Sequence, residues 1–290
     1  MFEKRAYLLD VTNRTPTKRS LQELVDILCS YRYNEFIVYR DSEAAERFDP
    51  ARLKAYCEMQ GVELVFTKKY DCEELFFKDK TMMVSSEASR SLCGRVEEMR
   101  ERMIAAEARG RADNFKRFCV TDFSDGYEWQ PMIVSLPAIV MGGNFAASGA
   151  KAANMDLERE LDRVLDAPLA GYLLKLGTLY LRGGAMRDGE SEYFNILAGD
   201  AGYSRHPGIT QQVLDEVSGI ARGIAIAAER WTDRNDRAKE IVYMAKLLDA
   251  ACHRRQESML RELRDDHGRI WRMLFEPEGR AESLSKLPRF

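Results

Sequence analysis

The chain lacks an excess charge of either sign. Its 44 Lys and Arg residues face 47 Asp and Glu residues, for a net charge of −3. That balance predicts neither a nucleic acid nor a membrane as the main partner. No apolar run approaches the roughly 20 residues that span a bilayer. The start, "MFEKRAYLLDVTNRTP", has no signal-peptide apolar region. The expected location is therefore cytoplasmic. None of the six cysteines, Cys29, Cys57, Cys72, Cys93, Cys119 and Cys252, forms a CxxC pair. Zinc and dithiol redox chemistry are not indicated, and reduced core thiols are expected. The three histidines, His206, His253 and His267, are scattered through the C-terminal half. They support neither a His-based metal site nor a Ser-His-Asp triad. Nothing points to an organic cofactor, and no internal repeat or low-complexity tract is present.

What the chain does have is a core: 45% of its 290 residues are hydrophobic. The first half alternates. Short apolar strands are expected at 5–11, 35–40, 62–67, 81–86 and 115–123. Thr15-Pro16 and Asp49-Pro50 read as helix starts. A further helix is expected over 94–109, and the small apolar stretch 136–150 reads as a closely packed one. Strand-helix alternation with short links predicts parallel strands and right-handed crossovers. From about residue 151 no strand pattern is convincing. The strongest element is a single long helix over 235–264, in which Ala238, Ile241, Val242, Ala245, Leu248, Cys252, Met259 and Leu263 keep a 3.6-residue period. Asp249 and Gln256 fall on or beside that stripe and weaken it. The expected division is 1–150 for an α/β domain and 151–290 for a helical domain.

In parallel α/β barrels, functional groups sit where strands end. The strand ends here offer Asp10, then Asp41 and Glu43, then Glu87, then Asp122, Asp125 and Glu128, with Trp129 and Gln130 beyond. Carboxylates beside an aromatic plate suit a carbohydrate, because carboxylates accept bonds from sugar hydroxyls and an indole stacks on a pyranose face. Glycoside hydrolysis needs two carboxyl groups in dissimilar environments. The competing reading is that loop carboxylates are solvated or cap the next helix.

The stretch "VTDFSDGYEWQPMIVSLP" at 120–137 resembles one bacterial branch of glycoside hydrolase family 20, the β-N-acetylhexosaminidases. That branch typically reads T-D-W-G-D-N-G-H-W-Q-P-x-x-V-S-x-P there. "SSEASRSLCGR" at 85–95 and "IWRMLF" at 270–275 are similar to other family segments, as are 53–65 and the helical region from 156. The resemblance implies a TIM barrel, a substrate carrying N-acetylhexosamine, and a catalytic Asp-Glu pair at the end of the fourth barrel strand. The only Asp-Glu pair in this chain, Asp215-Glu216, lies in an amphipathic helical stretch and does not fit that role. Only 13 residues separate Thr67 from Thr81, whereas a βα unit needs about 30. The matched pieces are the first three and last two strands, so the middle of the barrel, with its catalytic strand, is missing. Three family aromatics are replaced at Ser89, Phe123 and Ala147, and the family's His falls at Glu128.

The expected fold is therefore an incomplete TIM-barrel-like parallel sheet followed by an all-helical C-terminal region. Three functional readings follow. One is a catalytically degenerate hexosaminidase-like protein that binds an N-acetylhexosamine-containing glycan or assembles with partners, through Asp10, Asp41, Asp122, Asp125, Trp129 and Gln130. The second is an active glycosidase rebuilt on Glu87, Asp122, Asp125 or Glu128. The third is a structural scaffold without a ligand. Because an open sheet leaves strand edges to be covered, a homodimer or a complex with a related protein is expected.

Overall fold

A computed structural model describes residues 2–40, 50–68, 80–184, 186–187, 189–199, 205–253 and 256–288. Five parallel strands form its sheet: β1 (Lys4–Asp10), β2 (Glu35–Tyr39), β3 (Glu63–Thr67), β4 (Thr81–Ser85) and β5 (Arg117–Asp122). Their order is β3-β2-β1-β5-β4. Helix α1 (Lys18–Ser30) joins β1 to β2, α2 (Pro50–Met59) joins β2 to β3, and α3 (Val96–Ala112) joins β4 to β5. Each of these three steps moves in the same direction across the sheet. With right-handed crossovers, all three helices then fall on one face. The α/β class predicted from the alternation is correct.

Strand alternation sorts the two faces. Tyr7, Leu9, Phe36, Val38, Phe118 and Val120 join the helices in the main core. Ala6, Leu8, Ile37 and Cys119 form a separate small cluster on the opposite face, flanked by Tyr39 and Val65. At the lower end of that face Arg117 reaches across β1, where Ala6 leaves room, to pair with Glu35 (Nη2–Oε1 3.0 Å, Nε–Oε2 2.9 Å). Both residues are fully buried.

The remaining helices are α4 (Leu136–Ser148), α5 (Leu157–Leu165), α6 (Ala170–Leu176), α7 (Glu192–Ala198), α8 (Gln211–Glu229), α9 (Asp236–Cys252), α10 (Glu257–Leu274) and α11 (Arg280–Lys286). One apolar core runs from the sheet through these helices. The small-residue helix α4 lies at its centre. A Cβ at Gly142 would strike Val120 and Tyr33, and one at Gly143 would strike the Tyr31 backbone. The helical stretch Met132–Asn154 is long and apolar enough to cross a membrane, but its most apolar 18-residue window, of mean hydropathy 1.4, is 83% buried inside the protein. Cys29, Cys57, Cys93, Cys119 and Cys252 are free thiols, as expected; Cys72 lies outside the described residues.

Three expectations need correction. The long helix over 235–264 is two helices, broken where His253 caps α9 through its N–H to Asp249 and Ala250 carbonyls, and Gln256 caps α10. Apolar periodicity continues across that break and conceals it. Helix α1 starts from Thr17, whose side chain accepts from the Ser20 N–H, rather than from Thr15-Pro16. There the chain is tied instead to the end of α10: Thr17 N donates to Leu274 O, and Glu276 N donates to Thr15 O. A small antiparallel pair, β6 (Met186–Arg187) and β7 (Glu190–Ser191), interrupts the helical half.

Candidate functional site

The strand ends carry the carboxylates that the sequence singles out. Each of those among the described residues is held by neighbours in a way that decides its chemistry. Asp122 shares the parity of Phe118 and Val120, so it points into the helix-packed core rather than toward the opposite face. It is buried and accepts three hydroxyl bonds, from Tyr7 (2.8 Å), Ser86 (2.9 Å) and Ser135 (2.6 Å). Its charge-assisted bonds tie β1, the end of β4 and the start of α4 together.

Asp125 organises the loop that follows. Its Oδ1 accepts from the N–H groups of Tyr127 (2.9 Å) and Glu128 (3.2 Å), and its Oδ2 from Arg90 N–H (2.8 Å) and Gln130 Nε2 (2.9 Å). Gln130 is buried and also donates to the Ser91 carbonyl (2.6 Å) and the Ala88 carbonyl (3.3 Å). Glu128 is buried at a left-handed φ of +58°. Its carboxylate takes the Arg14 guanidinium (Nε–Oε2 2.7 Å) and the Ser124 hydroxyl. Burial pushes its carboxyl above the ordinary range, while the Arg14 charge opposes that rise. Arg14 in turn lies 4.9 Å over the Phe275 ring.

Glu87 is buried, also at positive φ (+57°), and pairs with Arg95, with Arg102 Nε 3.5 Å from its other oxygen. Trp129 is 1% exposed. Its indole donates to the Ser283 carbonyl (3.3 Å) and packs against Tyr127 (4.9 Å) and Phe194 (5.5 Å). The ring fastens α11 and α7 to the turn and presents no face to solvent. Ser283 completes the fastening by donating to Tyr127 O (2.7 Å).

Asp10, at the end of β1, shares the parity of Ala6 and Leu8 and is 9% exposed. Its carboxylate accepts from Thr12 N–H (2.9 Å) and Ser124 N–H (3.2 Å), and burial pushes its carboxyl upward against those bonds. Beside it, Tyr39 and Phe123 meet edge to face across the end of β1 with ring centroids 5.5 Å apart. Phe123 is 39% exposed. Asp41 and Glu43 lie outside the described residues. The structure thus joins Asp122, Asp125, Glu128, Trp129 and Gln130 in one continuous scaffold with Arg14 and Ser283. It sets Glu87 apart in the Arg95 pair.

The cavity beneath this scaffold, bordered by Tyr7, Asp10, Arg14, Ser20, Asp122 and Arg237, has a volume of about 20 Å³. One water fits there, and a sugar does not. Among the described residues no group of three His, Cys, Asp or Glu side chains is placed to hold a metal. Sequence reasoning misses Arg14 and Tyr39. Tyr39 carries a signal, since it ends β2 opposite Asp10 in the register. Arg14 carries none, because its partner lies 114 residues away. Compared with known proteins, the chain matches no family model and no curated protein.

Proposed function

We propose that this chain is a catalytically silent relative of the family 20 β-N-acetylhexosaminidases. It keeps the strand-end surface at Asp10, Tyr39 and Phe123 for binding an N-acetylhexosamine-containing glycan. The observation that carries the silent part is the sequestration of Asp122, Asp125, Glu128 and Glu87. A glycosidase needs one carboxyl free to protonate the leaving oxygen and a second group opposite it. Here each carboxylate is occupied by hydroxyl, amide or guanidinium donors that fix the fold.

The strand order supports the barrel relationship. Removing the middle three strands of an eight-stranded barrel leaves the first three beside the last two, in the order 3-2-1-8-7. The order β3-β2-β1-β5-β4 has that form, with the helices on one face as around a barrel. The binding part rests on Phe123. Its exposed ring can stack on a pyranose, and the Asp10 carboxylate beside it, held by the Thr12 side chain and by the Thr12 and Ser124 N–H groups, keeps a lone pair that can accept a sugar hydroxyl. The ligand-free scaffold reading draws support from the cavity of about 20 Å³.

Two measurements separate these readings. The protein is expected to release no chromophore from a chromogenic N-acetylglucosaminide. Turnover that disappears in Asp125→Ala would replace this reading with that of an active enzyme. Titration with N-acetylglucosamine followed by NMR is expected to give saturable shifts, weakened at least about tenfold in Phe123→Ala, or about 1.4 kcal/mol. If the sugar shifts nothing, the scaffold reading stands.

Among the described strands, β3 and β4 each have a single neighbour, which leaves an edge for a partner. A homodimer is the simplest cover, so light scattering is expected to give twice the 33.3 kDa chain mass. A monomer at all concentrations would remove this part of the proposal.

A further inference from the structure

A larger cavity, about 180 Å³, lies between α9 and α10. It does not depend on the strand-end surface. Helix α9 contributes Lys239, Val242, Tyr243 and Lys246, and α10 contributes Asp266, Arg269, Ile270 and Met273. Both sets follow i, i+3, i+4, i+7, so each is one helix face turned to the same space. Val242, Tyr243, Ile270 and Met273 make the floor apolar. Lining the cavity at its rim are the cations Lys239, Lys246 and Arg269 and the carboxylate Asp266, while Asp236 and Glu262 pair with Lys239 and Lys246 from outside it.

We propose that this cavity binds a small aromatic monocarboxylate. Size sets the apolar part: a cavity of about 150 Å³ with apolar walls takes a benzene ring. The space here therefore accommodates one ring and a short acidic arm, and it is too small for a helix of a partner. A sugar is disfavoured because the floor offers its hydroxyls few polar partners. Charge sets the acidic part. Lys246 is held by Asp266 (2.8 Å) and Glu262 (2.7 Å). Lys239 and Arg269 are more exposed, and they pair on their own helices with Asp236 and Asp266. An exposed pair such as Lys239–Asp236 is worth only about 0–1 kcal/mol, and the buried Asp266 keeps Lys246 if Arg269 turns away. Exchanging such a pair for a ligand carboxylate, above a ring already removed from water, therefore costs little.

The test is an NMR and calorimetric titration of the whole protein with phenylacetate. Phenethylammonium serves as the cation of the same shape. Phenylacetate is expected to shift the Val242, Ile270 and Met273 methyl signals saturably and to bind at least tenfold more tightly than phenethylammonium. Met273→Trp, which fills the cavity, is expected to abolish binding. Arg269→Glu, a change at an exposed position that should leave folding intact, is expected to weaken it at least tenfold. The proposal fails if phenylacetate causes no saturable shift, if the two charges bind equally, or if Arg269→Glu binds as the parent does.

Discussion

Asp122→Ala is expected to lower folding stability by about 3–5 kcal/mol. The carboxylate is buried and accepts hydroxyls from three separate elements. Hydrogen bonds to charged groups contribute roughly 1.5–3 kcal/mol each, and a buried donor left unpaired costs about 1–3 kcal/mol. The three bonds are not additive, because the two serine hydroxyls can rotate toward other acceptors. The Tyr7 phenol cannot move far, since it is packed between Tyr33 and Phe36. The measurement is urea unfolding of parent and variant, with the slope m unchanged. Asp122→Asn keeps one acceptor oxygen and should lose less.

The sign of this effect discriminates between functions. A carboxylate held for catalysis is often a strained, destabilising group, and its removal leaves stability equal or improved. A loss of several kcal/mol would identify Asp122 as a structural tie between β1, β4 and α4. A loss under about 1 kcal/mol would show that the network is dispensable and would reopen the catalytic reading.

The parity of the strand already contains this distinction. In "RFCVTD", Phe118 and Val120 are the residues a helix-packed core requires, and Asp122 is two further along. A period of two therefore places its side chain on the helix side, away from the face where a barrel holds its substrate. Local patterns also sufficed for the five strands and for the close packing of α4. They failed at 253–256, because the apolar stripe runs in phase through two helices and only the caps mark the break. Cap chemistry depends on one or two residues and is easily masked by a strong stripe. The sheet order and the pairings Arg14–Glu128 and Ser283–Tyr127 join residues more than 100 positions apart. No spacing rule within a segment reaches that far. Trp129 shows the same limit from the other side. Its neighbours in sequence are polar, so it reads as a binding plate, but the surfaces that bury it are α7 and α11.

His267 is expected to make the protein less stable as pH falls below about 6.5. The ring is buried between helices, with Nδ1 2.7 Å from the Tyr243 hydroxyl and Nε2 3.0 Å from the Ser283 hydroxyl. Burial, with the Arg14 and Arg264 charges, lowers its pKa to about 3. Unfolded, the imidazole titrates near 6.5. Between these values the unfolded chain binds a proton that the folded chain refuses. Each pH unit then removes about 1.36 kcal/mol, or about 2 kcal/mol by pH 5 and more as pH approaches 3. Other groups act with the opposite sign. Burial raises the carboxyl pKa values of Glu240, Glu128 and Asp10 in the folded protein. Those groups take up protons first in the folded state and so add stability during acidification. The parent curve alone therefore mixes both signs, and the informative quantity is its difference from His267→Gln, which does not titrate. In urea unfolding at pH 7 and pH 5, the stability advantage of the parent over His267→Gln should shrink by about 2 kcal/mol. An advantage that stays constant would mean that position 267 titrates alike in both states, and that the Tyr243–His267–Ser283 chain does not hold a neutral imidazole.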